Sequence, residues 1–346
     1  MKHIKFKPLF YLFAWLACAQ ISSAQKIVIT PAKASCVYDI GEPITWKVEV
    51  TGDNASSIKQ ANYVMKQCGL TVIKQGILDL STGTASLDTS LNEPGTILLS
   101  VTTTISPKPV LAGAAVAPYK VQPTSPRPDD FDDFWIAKIK ELEAIAANPQ
   151  LESVDANNPN VDYYKIRMDN IHGTHIYGQL AKPKAPGKYP ALLIPQWAGV
   201  YGLPKSRVVD RARNGWIALN IMPHDLPFDQ PAAYYKDLFK TTYKNYWTFG
   251  AESRDTTTFL RMYLSCYRAM DYLTQMPDWN GKTLVVMGTS QGGQQALMIA
   301  GLYPKVTAML AMVPSSCDVT GPTNGRAIGY PNWGNYILGN SREKSP

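Results

Sequence analysis

Charge is scarce in this chain: 18% of its 346 residues are Asp, Glu, Lys or Arg, against about 25% in an ordinary globular protein. The formal balance is +7, but Lys2, Lys5 and Lys7 lie in an N-terminal targeting-type segment; without them 31 basic residues face 27 acidic ones. No block of like charges occurs, so the electrostatic footprint of a nucleic-acid partner is missing and none is expected. Cysteine is also sparse, five in all, which excludes a fold framed by disulfides, and the spacings do not resemble a zinc site. Only Cys36 and Cys68 fall together ahead of the region that carries chemistry, and the sequence leaves their bridging open. Beyond the N-terminus no apolar run is long enough to span a bilayer. What is present, 45% hydrophobic and 10% aromatic residues, suits a folded globular chain with room for two domains.

Residues 1–24 read as a signal peptide. The three lysines form a basic n-region, the apolar run 8–18 is short for a membrane span, and Ser22-Ser23-Ala24 supplies small residues for cleavage before Gln25. The expected location is therefore periplasmic or secreted. Lipid anchoring through Cys18 is the weaker alternative, because Trp15-Leu16-Ala17 is a poor small-residue context.

Residues 25–105 show short β-type runs at 26–29, 45–50, 70–73 and 97–101, broken by Gly41, Gly52, Gly76, Gly83 and Pro94-Gly95. This spacing predicts a small immunoglobulin-like β-sandwich. It carries no chemical cluster, so a packing or spacer role outweighs carbohydrate binding. Six prolines within 106–128 predict an extended linker. From Asp129 onward, in 129–346, the period changes. Phe131, Trp135, Ile139, Leu142 and Ile145 recur at helical spacing behind two aspartates. Residues 163–168 and 175–180 alternate as a hairpin or meander would. The nearly continuous apolar runs 191–194, 216–221, 284–287 and 307–313 suit strands buried on both faces. Interleaved with helical segments at 259–273 and 291–302, they predict a doubly wound α/β sheet.

The most informative stretch is the strand-like Leu284-Val285-Val286-Met287 followed by Gly288-Thr289-Ser290-Gln291-Gly292 and a helical run. In a strand–turn–helix setting, G-x-S-x-G lifts a serine hydroxyl above the sheet, and the glycines let neighbouring elements close in. Ser290 is thus the candidate nucleophile, with the Gln291 N–H at the helix start as an oxyanion donor. A second donor is expected from the loop after an earlier strand, where Pro195-Gln196-Trp197-Ala198-Gly199 places the Trp197 N–H. His224 and Asp225 follow the run 216–221 and could pair as base and orienter. They precede Ser290, however, whereas this architecture delivers acid and histidine after the nucleophile, which favours a structural or pocket-lining role for both. No histidine follows Ser290 in the sequence, so the expectation is either a truncated hydrolase or a degenerate one.

Arg127-Pro128-Asp129-Asp130-Phe131-Asp132-Asp133-Phe134-Trp135, the Ser290 motif, and Val313-Pro314-Ser315-Ser316-Cys317-Asp318 occur in that order. Together they resemble the acetyl xylan esterases and cephalosporin C deacetylases of carbohydrate esterase family 7, over about 116 to the C-terminus. The resemblance implies an α/β-hydrolase sheet incomplete at its C-terminus, with Ser290 as nucleophile, Gln291 as one oxyanion donor, and Trp197 where an aromatic residue usually gives the other. It implies that the triad aspartate and histidine fall beyond Pro346, so that the chain is truncated. It also implies an acetylated carbohydrate as substrate, no metal or organic cofactor, and a family that often forms closed homo-oligomers. The family's arginine-containing turn is replaced here by Met222-Pro223-His224-Asp225-Leu226-Pro227. With no lid-like insertion visible between Ile221 and Leu284, short acyl groups should be preferred. The rival readings are a secreted peptidase or lipase-type hydrolase on the same fold, and a non-catalytic carbohydrate-binding or scaffold protein.

Overall fold

A computed structural model describes residues 26–52, 55–103, 108–123, 126–319 and 329–331. The signal segment, Cys18 and the final stretch 340–346 lie outside the described residues. The chain divides into two compact units, Met1–Pro123 and Thr124–Pro346.

The first unit is all β: β1 (Lys26–Pro31), β2 (Val37–Tyr38), β3 (Ile44–Thr51), β4 (Gln60–Gln67), β5 (Thr71–Asp79), β6 (Thr84–Thr89), β7 (Gly95–Thr102) and β8 (Val110–Val116). They form a three-stranded sheet, β1-β3-β6, and a five-stranded sheet, β2-β8-β7-β4-β5. Alternate residues of β3 (Ile44, Trp46, Val48, Val50) and of β7 (Ile97, Leu99, Val101) are buried in one shared core, as period-2 patterning requires. The expected linker is corrected here. Within 106–128 lies β8, which pairs antiparallel with β7 and parallel with β2. Its Ala- and Gly-rich sequence has weak strand propensity, and the ladder bonds to two neighbours decide its conformation. The same sheet keeps Cys36 and Cys68 apart. Cys36 enters β2, whereas the Cys68 N–H bonds to Thr96 on β7, so β8 and β7 intervene. Three strand spacings amount to about 14 Å, well beyond disulfide reach, and both thiols are free.

The second unit is mixed α/β. Helix α1 (Phe131–Glu143) leads into β9 (Gln150–Val154), β10 (Val161–Asp169), β11 (His175–Pro183), β12 (Tyr189–Pro195), α2 (Ser206–Arg213), β13 (Ile217–Ile221), α3 (Ala232–Lys240), α4 (Thr258–Gln275), β14 (Trp279–Thr289), α5 (Gln291–Leu302) and β15 (Ala308–Met312). The sheet order is β15-β14-β12-β13-β11-β10-β9. Neighbours from β13 to β15 run parallel, and β9 to β11 form an antiparallel meander joined to β13. Helices α4 and α5 cover one face through Cys266, Met270, Leu273, Ala296 and Ile299; α2 covers the other through Val208, Val209 and Ala212. Burial on both faces explains why β12 and β13 read as unbroken apolar runs. β15 departs from that expectation: as the outermost strand among the described residues it leaves Met309, Leu310 and Met312 exposed. Among the described residues no helix is long and apolar enough to cross a membrane.

The aspartate- and aromatic-rich motif at the start of α1 is a clamp. Asp130 forms a two-pronged pair with Arg254, whose guanidinium also lies 4.6 Å over the Phe134 ring. Arg127 pairs with Asp132 and sits 4.5 Å over Phe131. Lys138 reaches Asp255 at 2.8 Å. Trp135 and Leu142 are buried against Leu260 and Leu264 of α4. The motif therefore fixes both α4 and the loop before it.

That loop belongs to a segment the sequence reading missed. Between β13 and α4, Leu226, Phe228, Tyr235 and Tyr246 are buried with Val200, Leu203, Met222, Phe259 and Met262 in a separate aromatic core beyond the ends of β12 and β13. These side chains are buried in a core, an apolar cluster that the sequence reading did not place.

Candidate active site

Ser290 follows β14 directly and caps α5 with φ 54° and ψ −120°. This conformation costs a non-glycine residue on the order of 1–3 kcal/mol and persists only where the surroundings enforce it. Here they do. The Ser290 N–H donates to the Met312 carbonyl at 2.9 Å, and its own carbonyl accepts from the N–H groups of Gln294 and Ser315 at 3.0 and 3.1 Å. The flanking glycines are steric necessities. A Cβ on Gly288 would lie 2.0 Å from the Gly292 carbonyl oxygen, and one on Gly292 would lie 2.7 Å from the Pro195 carbonyl oxygen. The second approach brings α5 against the end of β12, beside the loop carrying Trp197.

Gln291 is fully buried as the first residue of α5. Its N–H precedes the first helical bond, Gln294 N–H to Ser290 carbonyl, so it is one of the donors at a helix N-terminus left without an acceptor among the described residues. The side chain is fully engaged. Tyr246 donates its hydroxyl proton to Gln291 Oε1 at 2.6 Å, and Gln291 Nε2 lies 3.7 Å from the Met262 sulfur. Gln295 Nε2 donates to both the Gln291 and Gln196 carbonyls, at 3.2 and 3.1 Å.

Trp197 is 42% exposed, with the Arg207 guanidinium 4.8 Å over its ring and its carbonyl accepting from Tyr201 at 3.4 Å. Its N–H has no acceptor among the described residues. The structure thus brings the Gln291 and Trp197 segments together at the elbow, cross-linked by Gln295.

His224 and Asp225 do not form a pair. His224 is completely buried; its Nε2 donates to the Gly199 carbonyl at 3.0 Å, and its ring meets Tyr243 and Tyr246 edge-on at 5.0 and 4.6 Å. Nδ1 is buried without a partner among the described residues. Burial, aided by the nearby Arg261 charge, pushes the imidazole pKa down to about 3, so the ring is neutral at neutral pH. Asp225 instead faces His175 Nδ1 at 3.4 Å. His172 pairs with Glu141 at 3.0 Å. Among the described residues the Ser290 hydroxyl has no hydrogen-bond partner.

Sequence reasoning missed Tyr246 and Gln295. The signal for the first was compositional: Tyr234, Tyr235, Phe239, Tyr243, Tyr246, Trp247 and Phe249 crowd into sixteen residues.

A mixed α/β sheet with a strained serine between a parallel strand and a helix is the setting in which a G-x-S-x-G turn lifts its serine above the sheet. The chain belongs to the acetyl xylan esterase (AXE1) family, whose model matches residues 116–324. It is 33% identical over 304 residues to the acetyl esterase Axe7A of Xylanibacter ruminicola, a match covering 86% of this chain and 65% of that protein, so the chain spans somewhat less than two thirds of the relative's length. Its fold is similar to that of the acetyl xylan esterase from Paenibacillus sp. R4, with TM-score 0.53 and 25% identity over 65% of this chain and 72% of that one. Acetyl xylan esterase 1 from Thermoanaerobacterium sp. JW/SL YS485 gives TM-score 0.53 and 20% identity over 62% and 68% of the two chains.

Proposed function

We propose that this protein is an exported serine esterase that removes acetyl groups from xylan or xylo-oligosaccharides. The observation that carries the reading is the backbone of Ser290, held at φ 54° between a parallel strand and a helix N-terminus. In the proposed reaction the Ser290 hydroxyl attacks the acetyl carbonyl. The Gln291 and Trp197 N–H groups stabilise the tetrahedral oxyanion, and its collapse expels the sugar alcohol and leaves an acetyl-enzyme that water hydrolyses. The base that takes the Ser290 proton lies outside the described residues. His224 does not fill that role: its Nε2 proton is committed to Gly199, and its burial disfavours the imidazolium a general base must become. Asp225 is turned to His175 and is not paired with His224. Membership of the AXE1 family and the Axe7A relative support acetyl-ester chemistry. The β unit at 26–123 is read as an immunoglobulin-like spacer, and the segment 1–24 as the export signal.

The test is acetate release from acetylated xylo-oligosaccharides by the full-length protein, catalytic base included, and by its Ser290→Ala variant, with acetyl and octanoyl 4-nitrophenyl esters compared in parallel. Acetate release that depends on Ser290, with acetyl preferred to octanoyl, is expected. Faster octanoyl turnover would move the protein to the lipase-type reading. Carbohydrate binding with no Ser290-dependent hydrolysis would favour the binding-module reading.

A further inference from the structure

The oxyanion donors just assigned come from two chain segments almost a hundred residues apart, so something must set their separation. We propose that the Tyr246 hydroxyl is a positioning residue for that pair, a tether between the loop carrying Trp197 and the first residue of α5. This deepens the esterase reading and rests on it.

The geometry is specific. Tyr246 is fully buried, and its single hydroxyl makes two bonds of opposite sense. It donates to Gln291 Oε1 at 2.6 Å and accepts from the Gly199 N–H at 3.1 Å. A phenol can do both at once because it carries one donor proton and acceptor lone pairs; no carboxylate or ammonium can. On the far side of Gly199, its carbonyl accepts from His224 Nε2 at 3.0 Å, and the His224 ring packs edge-on against Tyr246 itself. Gly199 is thus gripped at both N–H and C=O by two side chains that also touch each other. The loop it closes begins at Gln196, whose carbonyl is held by Gln295 of α5. Between these two anchors the Trp197 N–H is left without an acceptor. The segment carrying Tyr246 is in turn held by the α1 motif, through Asp130 to Arg254 and Lys138 to Asp255. This gives the aspartate-rich motif, which touches no reacting atom, a route to the site.

The expected effect follows from how oxyanion donors act. They stabilise charge that develops only in the transition state, and small displacements forfeit part of that. Loss of the tether should therefore lower kcat and leave KM alone.

The experiment compares the full-length wild-type protein, catalytic base included, with Tyr246→Phe, which keeps the ring and its packing, and with Tyr243→Phe, whose ring also meets His224 but which ties no loop to α5. Three readouts are taken: kcat and KM for 4-nitrophenyl acetate, the inhibition constant of phenylboronic acid, which forms a tetrahedral adduct on serine, and amide exchange at Gly199. Tyr246→Phe is expected to lower kcat about 10- to 100-fold with KM within about 2-fold. Boronate binding should weaken by the same factor as kcat/KM, and the Gly199 amide should exchange faster. Tyr243→Phe should leave all three within about 2-fold of wild type. Unchanged kcat and boronate affinity in Tyr246→Phe, or a raised KM with kcat intact, overturns the proposal. Wild-type protein that neither hydrolyses the ester nor binds the boronate sinks the esterase reading instead. Amide exchange then decides the tether alone: faster exchange in Tyr246→Phe supports it, and unchanged exchange overturns it.

Discussion

The two units solve burial differently. Among the described residues Thr103 is the one buried polar side chain of the β unit, whereas the α/β unit buries twelve, from Asn170 to Ser315. Polar burial gives little net stability even when every bond is made, and costs heavily where one is not. The β unit has little of it, the Tyr38 hydroxyl and the Trp46 indole N–H being buried there within aromatic side chains. In the α/β unit, six of those residues (Gln196, His224, Gln291, Gln294, Gln295 and Ser315) lie in the Ser290 turn or in the segments bonded to it, and their hydrogen bonds hold both backbone (His224 to the Gly199 carbonyl, Gln295 to the Gln196 carbonyl) and side chains (Tyr246 to Gln291, Ser315 to Gln294). Strain gathers there too: Ser290, Val313 and Ser316 all have positive φ, and for a β-branched valine that is an outlier. The β unit is built by alternation of apolar residues; the α/β unit spends stability on holding one serine and the N–H groups near it.

The sharpest way to break this contrast is a glycine exchange in each unit. Gly288→Ala drives a Cβ to 2.0 Å from backbone and should cost more than about 4 kcal/mol. Gly113→Ala on β8 meets nothing closer than 3.5 Å and should be neutral or stabilising by up to about 1 kcal/mol. Urea unfolding of both variants checks the pair; equal losses would erase the distinction.

Next comes pH. The His224 pKa is lowered on folding, so its contribution is fully present above the unfolded value near 6.5 and is lost as pH falls toward about 3. At pH 4.5 the loss should reach about 2–3 kcal/mol. His224→Gln, which can still donate to Gly199, should lack that part of the acid sensitivity in thermal melts from pH 7 to 4.5. Identical pH slopes in the two proteins would contradict the buried, neutral assignment.

A smaller effect is expected at Trp197. Because its proposed role is carried by backbone N–H, Trp197→Ala should reduce kcat by less than about 10-fold, the ring contributing only its Arg207 stack; a loss beyond 100-fold would assign the indole a direct role. The smallest effect is none: with Cys36 and Cys68 held apart by two strands, reductant should not move the melting temperature of the purified protein.

How much of this was legible in the sequence follows from what each feature depends on. The elbow was readable because its signal is local, a strand, a tight glycine-flanked turn and a helix in consecutive residues. The buried parallel strands β12 and β13 were readable because both faces are apolar. β8 was not, since Ala and Gly give no periodic signal and its strand state comes from neighbours distant in sequence. Nor was Tyr246, because pairing a tyrosine at 246 with Gly199 and Gln291 is a tertiary fact. His224 was placed near the active end of the sheet from its position after β13, yet only the structure reveals that its Nε2 holds Gly199 rather than facing Ser290.

The central claim is that Ser290 accepts an acyl group, and trapping that intermediate tests it most directly. The full-length protein, catalytic base included, is mixed with 4-nitrophenyl acetate, quenched in acid within the first turnover, digested and mapped by mass spectrometry. An acetyl group on the Ser290 peptide, absent in Ser290→Ala and accompanied by a matching burst of 4-nitrophenolate, is the expected result. Ester hydrolysis that continues at the wild-type rate in Ser290→Ala, with no acetyl on that peptide, would contradict it.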